Sequence, residues 1–379
     1  LDSFSSYKDL TLPGPLAKAL DDMGFVTPTP VQAEAIPPAL TGKDILGTAQ
    51  TGTGKTAAFG VPLLTRLYDD AKKQALILAP TRELAAQIHK VLREMSRGMK
   101  LHGVLVVGGE SFKRQVDEIR RNFDYIVATP GRLNDHLQEK TIKLAHIRIL
   151  VLDEVDRMLD MGFLPQIKRI LRHVPTRRQT LLFSATLPSE ITSLAAALLF
   201  EPVRVAIGPV EQPIAQVTEK TIRTTQEGKN SLILKEIRSR LGRILIFTRT
   251  KSRAERLGKL IHDEGYNVVV LHGGRSQSQR KQALDRFQKG SHQIMVATDL
   301  AGRGIDVVDI EHVINFDVPQ TREDYIHRLG RTGRAGKTGE AVTFLITGDL
   351  DGERVISGEK APSRVVFRSR RGPIRRSLR

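Results

Sequence analysis

The octapeptide Ala49-Gln50-Thr51-Gly52-Thr53-Gly54-Lys55-Thr56 constrains this chain more than any other stretch. It follows a short apolar run, Asp44 to Gly47 around Ile45 and Leu46, and precedes a helix-like segment from Ala57 onward. Strand, Gly-rich loop, Lys-Thr and helix is the order in which a phosphate-binding loop is built. The loop's backbone N–H groups and the helix N-terminus together form a concave donor site for an anion. Gly52 and Gly54 keep side chains out of that concavity, Lys55 reaches the β- and γ-phosphates, and Thr56 offers a hydroxyl to Mg²⁺. The usual pattern opens with Gly where this chain has Ala49. The reading is a nucleoside triphosphate site; the blander one is a flexible Gly-Thr loop with an incidental lysine.

Around this loop, apolar runs alternate with helical stretches. Ala75 to Ala79, Leu101 to Val107, Tyr125 to Ala128, Ile147 to Leu152 and Leu181 to Phe183 read as strands. Helices are expected at Pro15 to Met23, Val31 to Leu40 and Arg82 to Met95. Strands that are apolar on both faces, each followed by a helix, imply a parallel sheet covered on both sides. The stretch Glu201 to Gln216 loses this character; with Pro202, Gly208, Pro209 and Pro213 it is expected to hold the interdomain connection. The alternation then restarts at Val217 to Thr224, Ile244 to Thr248, Val268 to Leu271, Ile294 to Ala297, His312 to Phe316 and Ala341 to Ile346. The second half has no GK[ST] loop. The expected division is residues 1–207, a linker at 208–213, residues 214–348, and a flexible basic tail at 349–379.

Composition narrows the partners. The 379 residues carry a net charge of +17 and no cysteine, so disulfides and thiolate-metal sites are excluded. The ten histidines show no metal-ligand spacing. Between Lys360 and Arg379 there are seven Arg, one Lys and no acid, so this short stretch holds eight of the positive charges. A balance so basic points to a polyanion, with nucleic acid preferred over an anionic membrane surface. No run approaches the length needed to cross a bilayer and no signal peptide opens the chain, so a cytoplasmic location is expected.

Ligands of parallel α/β sheets collect at the carboxyl ends of strands, where further candidates fall. Asp153-Glu154-Val155-Asp156 follows the apolar run Ile149 to Leu152. Asp153 is placed to hold Mg²⁺ through its water shell, with Glu154 polarising an attacking water. An acidic helix start favoured by the helix dipole is the alternative. In the segment Gly24 to Gln32, two prolines are expected to hold the chain extended or turned. There Phe25 can stack on a base and the Gln32 amide can read its edge; a simple turn before the next helix serves equally. In His327-Arg328-Leu329-Gly330-Arg331-Thr332-Gly333-Arg334, three arginines at spacing three are expected outside any core. They make either a surface charge run or an arginine finger for a γ-phosphate.

Together these pieces resemble the DEAD-box RNA helicases over about Phe4 to Ile346. GFVTPTPVQ resembles the Q motif, AQTGTGKT motif I (whose family form also begins with Ala), PTRELAAQ motif Ia and TPGR motif Ib. Gly108-Gly109 is similar to the GG element, DEVD stands where DEAD would, and Ser184-Ala185-Thr186 matches motif III. IFTRT resembles motif IV, Gln277 and Arg280 the QxxR element, ATDLAGRGID motif V and HRLGRTGR motif VI. The departures are Val155 for Ala and Gly302 where many members have Ala; neither removes a functional group. The short basic tail and the DRMLDMGF sequence resemble the small bacterial RhlE-type members.

The resemblance implies two RecA-like parallel-sheet domains and an RNA-dependent ATPase using ATP and Mg²⁺. It implies that Phe25, Thr27 and Gln32 select adenine and that Thr51, Gly52, Thr53, Gly54, Lys55 and Thr56 hold the phosphates. Gly304 and Asp306 would lie near the ribose, and Arg331 and Arg334 on the γ-phosphate. Asp156, Ser184, Thr186, Gln277, Asp299 and His327 would couple the lobes. RNA contacts would come from Pro80, Thr81, Arg82, Gly109, Thr129 and Arg132, and from Arg249, Gly274 and Thr298. Other outputs remain open: an ATP-gated RNA clamp or annealing factor, or a DNA-stimulated helicase of the same superfamily.

Overall fold

A computed structural model describes residues 4–49, 52–70, 73–206, 217–299, 310–333 and 338–358, except for the side chains of Gln277 and Glu323. The chain divides into two compact units, one built on Leu1–Gln216 and also taking in Leu271–Lys289, the other beginning at Val217 and otherwise made of the second half. The expected linker at 208–213 and the basic stretch from residue 359 onward lie outside the described residues.

The first unit is a seven-stranded sheet. Its strands are β1 (Ile45–Thr48), β2 (Gln74–Leu78), β3 (Gly103–Val106), β4 (Tyr125–Ala128), β5 (Ile147–Leu152), β6 (Gln179–Ser184) and β7 (Val203–Ala206). They lie in the order β3-β4-β2-β5-β6-β1-β7, and every neighbouring pair is parallel. Successive side chains on a strand point to opposite faces. Ile149 and Val151 therefore enter one core with Phe59, Leu63 and Ile88, whereas Leu150 and Leu152 enter the other with Leu133, Met158 and Ile167. Burial on both faces is why these strands read as unbroken apolar runs.

Three expectations need correction here. Val203–Ala206 is a strand, paired with β1, inside the stretch read as irregular. It is an edge strand with only one buried position, Val205, so it lacks the apolar run that marks its neighbours. The two prolines do not keep the whole of Gly24 to Gln32 extended or turned: the helix expected at Val31 to Leu40 begins one residue earlier, at Pro30, and includes Gln32. Proline suits the first helical position, where its missing N–H costs nothing, and Thr29 and Gln32 close a reciprocal capping box. Finally, Leu350–Ser357 is a helix rather than the start of a flexible tail. Asp349 caps it by accepting the Gly352 N–H at 2.9 Å, and Gly358 ends it at φ +83°.

The second sheet has six strands: β8 (Val217–Thr224), β9 (Ile244–Thr248), β10 (Val268–Leu271), β11 (Ile294–Thr298), β12 (His312–Asn315) and β13 (Gly339–Ile346). Their order is β10-β11-β9-β12-β13-β8. Ile244, Ile246, Val296, Ile314, Val342 and Phe344 form a core with Ile233, Ile237, Leu257 and Ile261 of flanking helices. No helix among the described residues is long and apolar enough to cross a membrane.

Candidate active site

The strand order sorts the candidate residues of the first unit. The phosphate loop follows β1, Asp153 follows β5, and Ser184 ends β6; these three strands are adjacent. Thr81 and Arg82 follow β2, Thr129 and Arg132 follow β4, and Gly109 follows β3; these three are adjacent on the other side. Because all strands are parallel, both groups lie along the same carboxyl edge, as neighbouring stretches of it.

Gly54 caps the helix Lys55–Asp69 at φ +92°, and Gly52 has φ +86°. A Cβ at Gly54 would sit 2.4 Å from Gln32 Nε2 and 3.0 Å from Thr29 Oγ1. That crowding reflects how the loop is held. Gln32 Nε2 donates to the Gly54 carbonyl at 3.1 Å, and Thr29 Oγ1 donates to the Thr53 carbonyl at 2.8 Å. Gln32 Oε1 accepts the Thr29 N–H at 2.8 Å, so its amide braces the phosphate loop as well as its own helix. The Ala49 N–H donates to the Ser184 carbonyl at 3.0 Å, fastening the loop's other end to β6. Thr51 lies outside the described residues. Phe25 packs edge-on against Tyr7, which in turn meets Phe4, so a three-ring shelf supports the adenine-side candidates. Thr27, beside it, is exposed.

Lys55 Nζ donates to the Ala49 carbonyl at 3.0 Å and lies 3.7 Å from Asp153 Oδ1. The cation thus spans the loop next to the carboxylate. Asp153 is 2% exposed, and burial pushes its carboxyl up to about 6, with Lys55 opposing and the Glu154 charge adding to the rise. Glu154 adopts φ +53°, a left-handed conformation that costs on the order of 1 kcal/mol for a non-glycine. Its Oε2 accepts from Arg157 Nη1 at 3.0 Å, both side chains being buried. Sequence reading had assigned nothing to Arg157, although its position one helical turn after Glu154 was visible. Among the described residues no group of three or more His, Cys, Asp or Glu could hold a metal. One buried carboxylate, Asp153, with a hydroxyl offered by Thr56 in the first turn of the helix that starts at Lys55, instead fits Mg²⁺, which keeps waters and takes substrate phosphate oxygens.

Asp156, Ser184 and Thr186 come together in the first unit. Asp156 Oδ2 accepts the Ala185 N–H at 2.8 Å, the Thr186 N–H at 3.0 Å and the Thr186 hydroxyl at 3.4 Å. The Asp156 N–H donates to Ser184 Oγ at 3.3 Å. Asp156→Ala would strip these donors of their acceptor and is expected to lower stability by about 2 kcal/mol. A urea midpoint unchanged from wild type would contradict that.

Along the second sheet, Arg249 and Gly274 follow β9 and β10 and Thr298 ends β11, again three adjacent strands. Arg249 donates its N–H to Asp317 Oδ2 at 2.9 Å, and the buried Asp317 also pairs with Lys229 and Arg253. The expectation that the motif's arginines avoid the core fails for Arg328 and Arg331, which are 2% and 4% exposed. Arg328 is neutralised by Asp299 through a two-pronged pair, Nε to Oδ1 at 2.6 Å and Nη2 to Oδ2 at 2.7 Å. Its Nη1 donates to Asn315 Oδ1 and the Asp317 carbonyl. Asp299 therefore has a partner inside its own unit. Arg331 Nε donates to the His327 carbonyl at 3.3 Å, and His327 is half-buried. Gly304, Asp306, Arg334 and the side chain of Gln277 lie outside the described residues.

Residues 29–194 match the DEAD/DEAH box helicase family, and residues 228–336 match the helicase conserved C-terminal domain. The chain is 41% identical over 342 residues to the DEAD-box ATP-dependent RNA helicase CshA of Bacillus subtilis, covering 90% of this chain and 69% of that protein. It is 43% identical over 376 residues to the ATP-dependent rRNA helicase RRP3 of Eremothecium gossypii, covering 97% and 77%. S. cerevisiae Dbp5 bound to RNA and ADP BeF3 is similar in structure, with a TM-score of 0.83 and 33% identity over 94% of this chain and 92% of that one. Mss116p bound to ssRNA and AMP-PNP gives 0.85 and 29%, covering 93% and 76%. With bacterial and yeast proteins both among these relatives, the similarity does not single out a bacterial subgroup.

Proposed function

The chain belongs to the DEAD-box family of ATP-dependent RNA helicases, and from that premise we propose that it binds RNA with both units, opens short duplexes locally and hydrolyses ATP to ADP and phosphate to release them. The observation that supports this reading best is the divided carboxyl edge of the first sheet. The phosphate loop and Asp153 occupy one stretch, while Arg82, Gly109, Thr129 and Arg132 occupy the next.

In this reading Phe25, Thr27 and Gln32 face adenine, and Lys55 exchanges the Ala49 carbonyl for β- and γ-phosphate oxygens. Thr56 and Asp153 would hold Mg²⁺, partly through water; when bound, the ion neutralises phosphate charge. Glu154 orients the attacking water and takes its proton. Arg331 and Arg334 act on charge developing at the γ-phosphate, and Gly304 and Asp306 serve the ribose. Asp156, Ser184, Thr186, Gln277, Asp299 and His327 couple ATP to RNA. Pro80, Thr81, Arg82, Gly109, Thr129, Arg132, Arg249, Gly274 and Thr298 hold RNA mainly by phosphate and sugar, so sequence preference is small.

The test is ATP turnover and strand displacement with RNA and with DNA, using wild type and Glu154→Gln. RNA should stimulate turnover and DNA should not. Glu154→Gln should bind ATP normally yet hydrolyse it about 100-fold more slowly. Equal stimulation by DNA would favour a DNA-directed helicase. ATP-gated RNA binding without strand displacement would favour a clamp or annealing factor.

A further inference from the structure

We propose that Gln115, backed by His136, is a positioning residue that aims Arg132 at the RNA backbone. The inference rests on Arg132 being an RNA contact.

Gln115 is 4% exposed, on the helix Phe112–Arg120, and His136 is fully buried on the helix Pro130–Gln138. Gln115 Oε1 faces two nitrogens at once, Arg132 Nε at 3.0 Å and His136 Nε2 at 3.0 Å. The amide cannot turn over without loss, because its Nε2 donates to the Val107 carbonyl at 2.8 Å. With the oxygen fixed as acceptor, His136 must carry a proton on Nε2, while its Nδ1 lies 2.8 Å from Thr141 Oγ1, whose hydroxyl also reaches the His136 carbonyl at 3.1 Å. Burial, reinforced by the neighbouring Arg132 charge, pulls the His136 imidazole down to about 4. It stays neutral near pH 7 and does not repel the guanidinium. The Phe112 ring stacks on His136 at 4.2 Å, and the Arg132 guanidinium carbon lies 5.1 Å from the centre of the same ring.

The rest of the guanidinium is used with equal economy. Arg132 Nη2 donates to the Glu110 carbonyl, and Nη1 lies 3.7 Å from Asp135 Oδ2. Gln115 holds the chain at Val107 and Arg132 holds it at Glu110, so the intervening Gly108-Gly109 loop is pinned on both sides. Gly109 sits there at φ +80°. One buried amide thus orients a cation from the segment after β4 and a backbone loop from the segment after β3, each a candidate RNA contact. These groups follow β3 and β4, which the sheet order separates by β2 from β5, β6 and β1 with Asp153 and the phosphate loop, so the effect should fall on RNA and not on ATP.

The experiment is a double-mutant cycle with Gln115→Met, which keeps the side chain's length and removes its polar atoms, and Arg132→Ala. The concentration of RNA needed for half-maximal ATP turnover should rise roughly tenfold for Gln115→Met, with turnover at saturating RNA within about twofold of wild type. In the Arg132→Ala background, Gln115→Met should change that concentration by less than about twofold, because the residue it positions is gone. A thermal melt of each variant identifies general loss of fold. Full additivity, or an unchanged RNA requirement in Gln115→Met while Arg132→Ala raises it, overturns the proposal. If Arg132→Ala itself leaves the RNA requirement unchanged, the reading of Arg132 as an RNA contact fails and the proposal falls with it.

Discussion

Replacing Lys55 by Ala is expected to lower RNA-stimulated ATP turnover by at least about 100-fold. Lys55 is buried, with its ammonium 3.0 Å from the Ala49 carbonyl and 3.7 Å from Asp153. Two losses follow from its removal. The phosphate loop gives up a cation that no other described residue of the loop can replace. Asp153, already pushed upward by burial and by Glu154, also loses the charge that opposes that rise. In the proposed reading Asp153 is a Mg²⁺ ligand, and protonation would weaken it as one, so the two losses are expected to reinforce each other. Lys55→Arg separates them. It restores a positive charge near Asp153, but a planar fork does not fit where a single ammonium reaches between carbonyl and carboxylate. Its melting temperature should stay close to wild type while its turnover remains at least tenfold down. Phosphate release at saturating RNA, beside an ATP-binding titration, measures both. Wild-type turnover in either variant would remove Lys55 from the site.

The second large effect is on stability. Arg328→Met should destabilise the protein by about 3 kcal/mol. Arg328 is 2% exposed, and its loss takes a donor away from Asp299, from Asn315 Oδ1 and from the Asp317 carbonyl. Breaking a buried ion pair from one side costs roughly 3–5 kcal/mol. The lower end applies because the Asp299 side chain is 28% exposed and can recover part of its hydration. The fork is also stacked on Phe247, with its carbon 5.0 Å from the ring centre, a contact methionine partly keeps. The paired replacement Arg328→Met with Asp299→Asn removes both charges and should cost less than the two single changes added together. Denaturant unfolding of the three variants would show this; strict additivity would mean that the pair contributes nothing beyond its separate members.

The parts of this protein that were legible in its sequence share a physical origin. Strands buried on both faces are apolar nearly throughout, so Tyr125–Ala128, Ile244–Thr248 and, but for Arg148, Ile147–Leu152 were readable to the residue, as was Val268–Leu271, an outer strand buried at alternate positions whose four residues are all apolar. Edge strand Val203–Ala206 needs only Val205 to be apolar and buried, so it left no such trace. The helix Leu350–Ser357 did leave one, in the Asp349 cap, the acidic first turn of Asp351 and Glu353, and the closing Gly358. The density of arginine beyond it outweighed that signal.

Local chemistry in the sequence also marked the phosphate loop, since the glycine that allows φ +92° at Gly54 and the helix that starts at Lys55 are visible in the octapeptide itself. It marked the carboxylates after β5 for the same reason. Partnership is different. Lys55 meets Asp153, Gln32 braces Gly54, Asp156 gathers Ala185 and Thr186, Gln115 holds Arg132, and Arg328 clasps Asp299. Most of these pairs join segments well apart along the chain, and each forms where tertiary packing brings them together. Strand order places the first and third of them side by side: β5, β6 and β1 are neighbours in the sheet although they are scattered through the sequence. Apolar periodicity says that a strand is buried, but it is nearly the same for every strand of a parallel sheet. It cannot say which strand lies next to which, and that choice, made by the packing of the whole sheet against its helices, decides which charges meet.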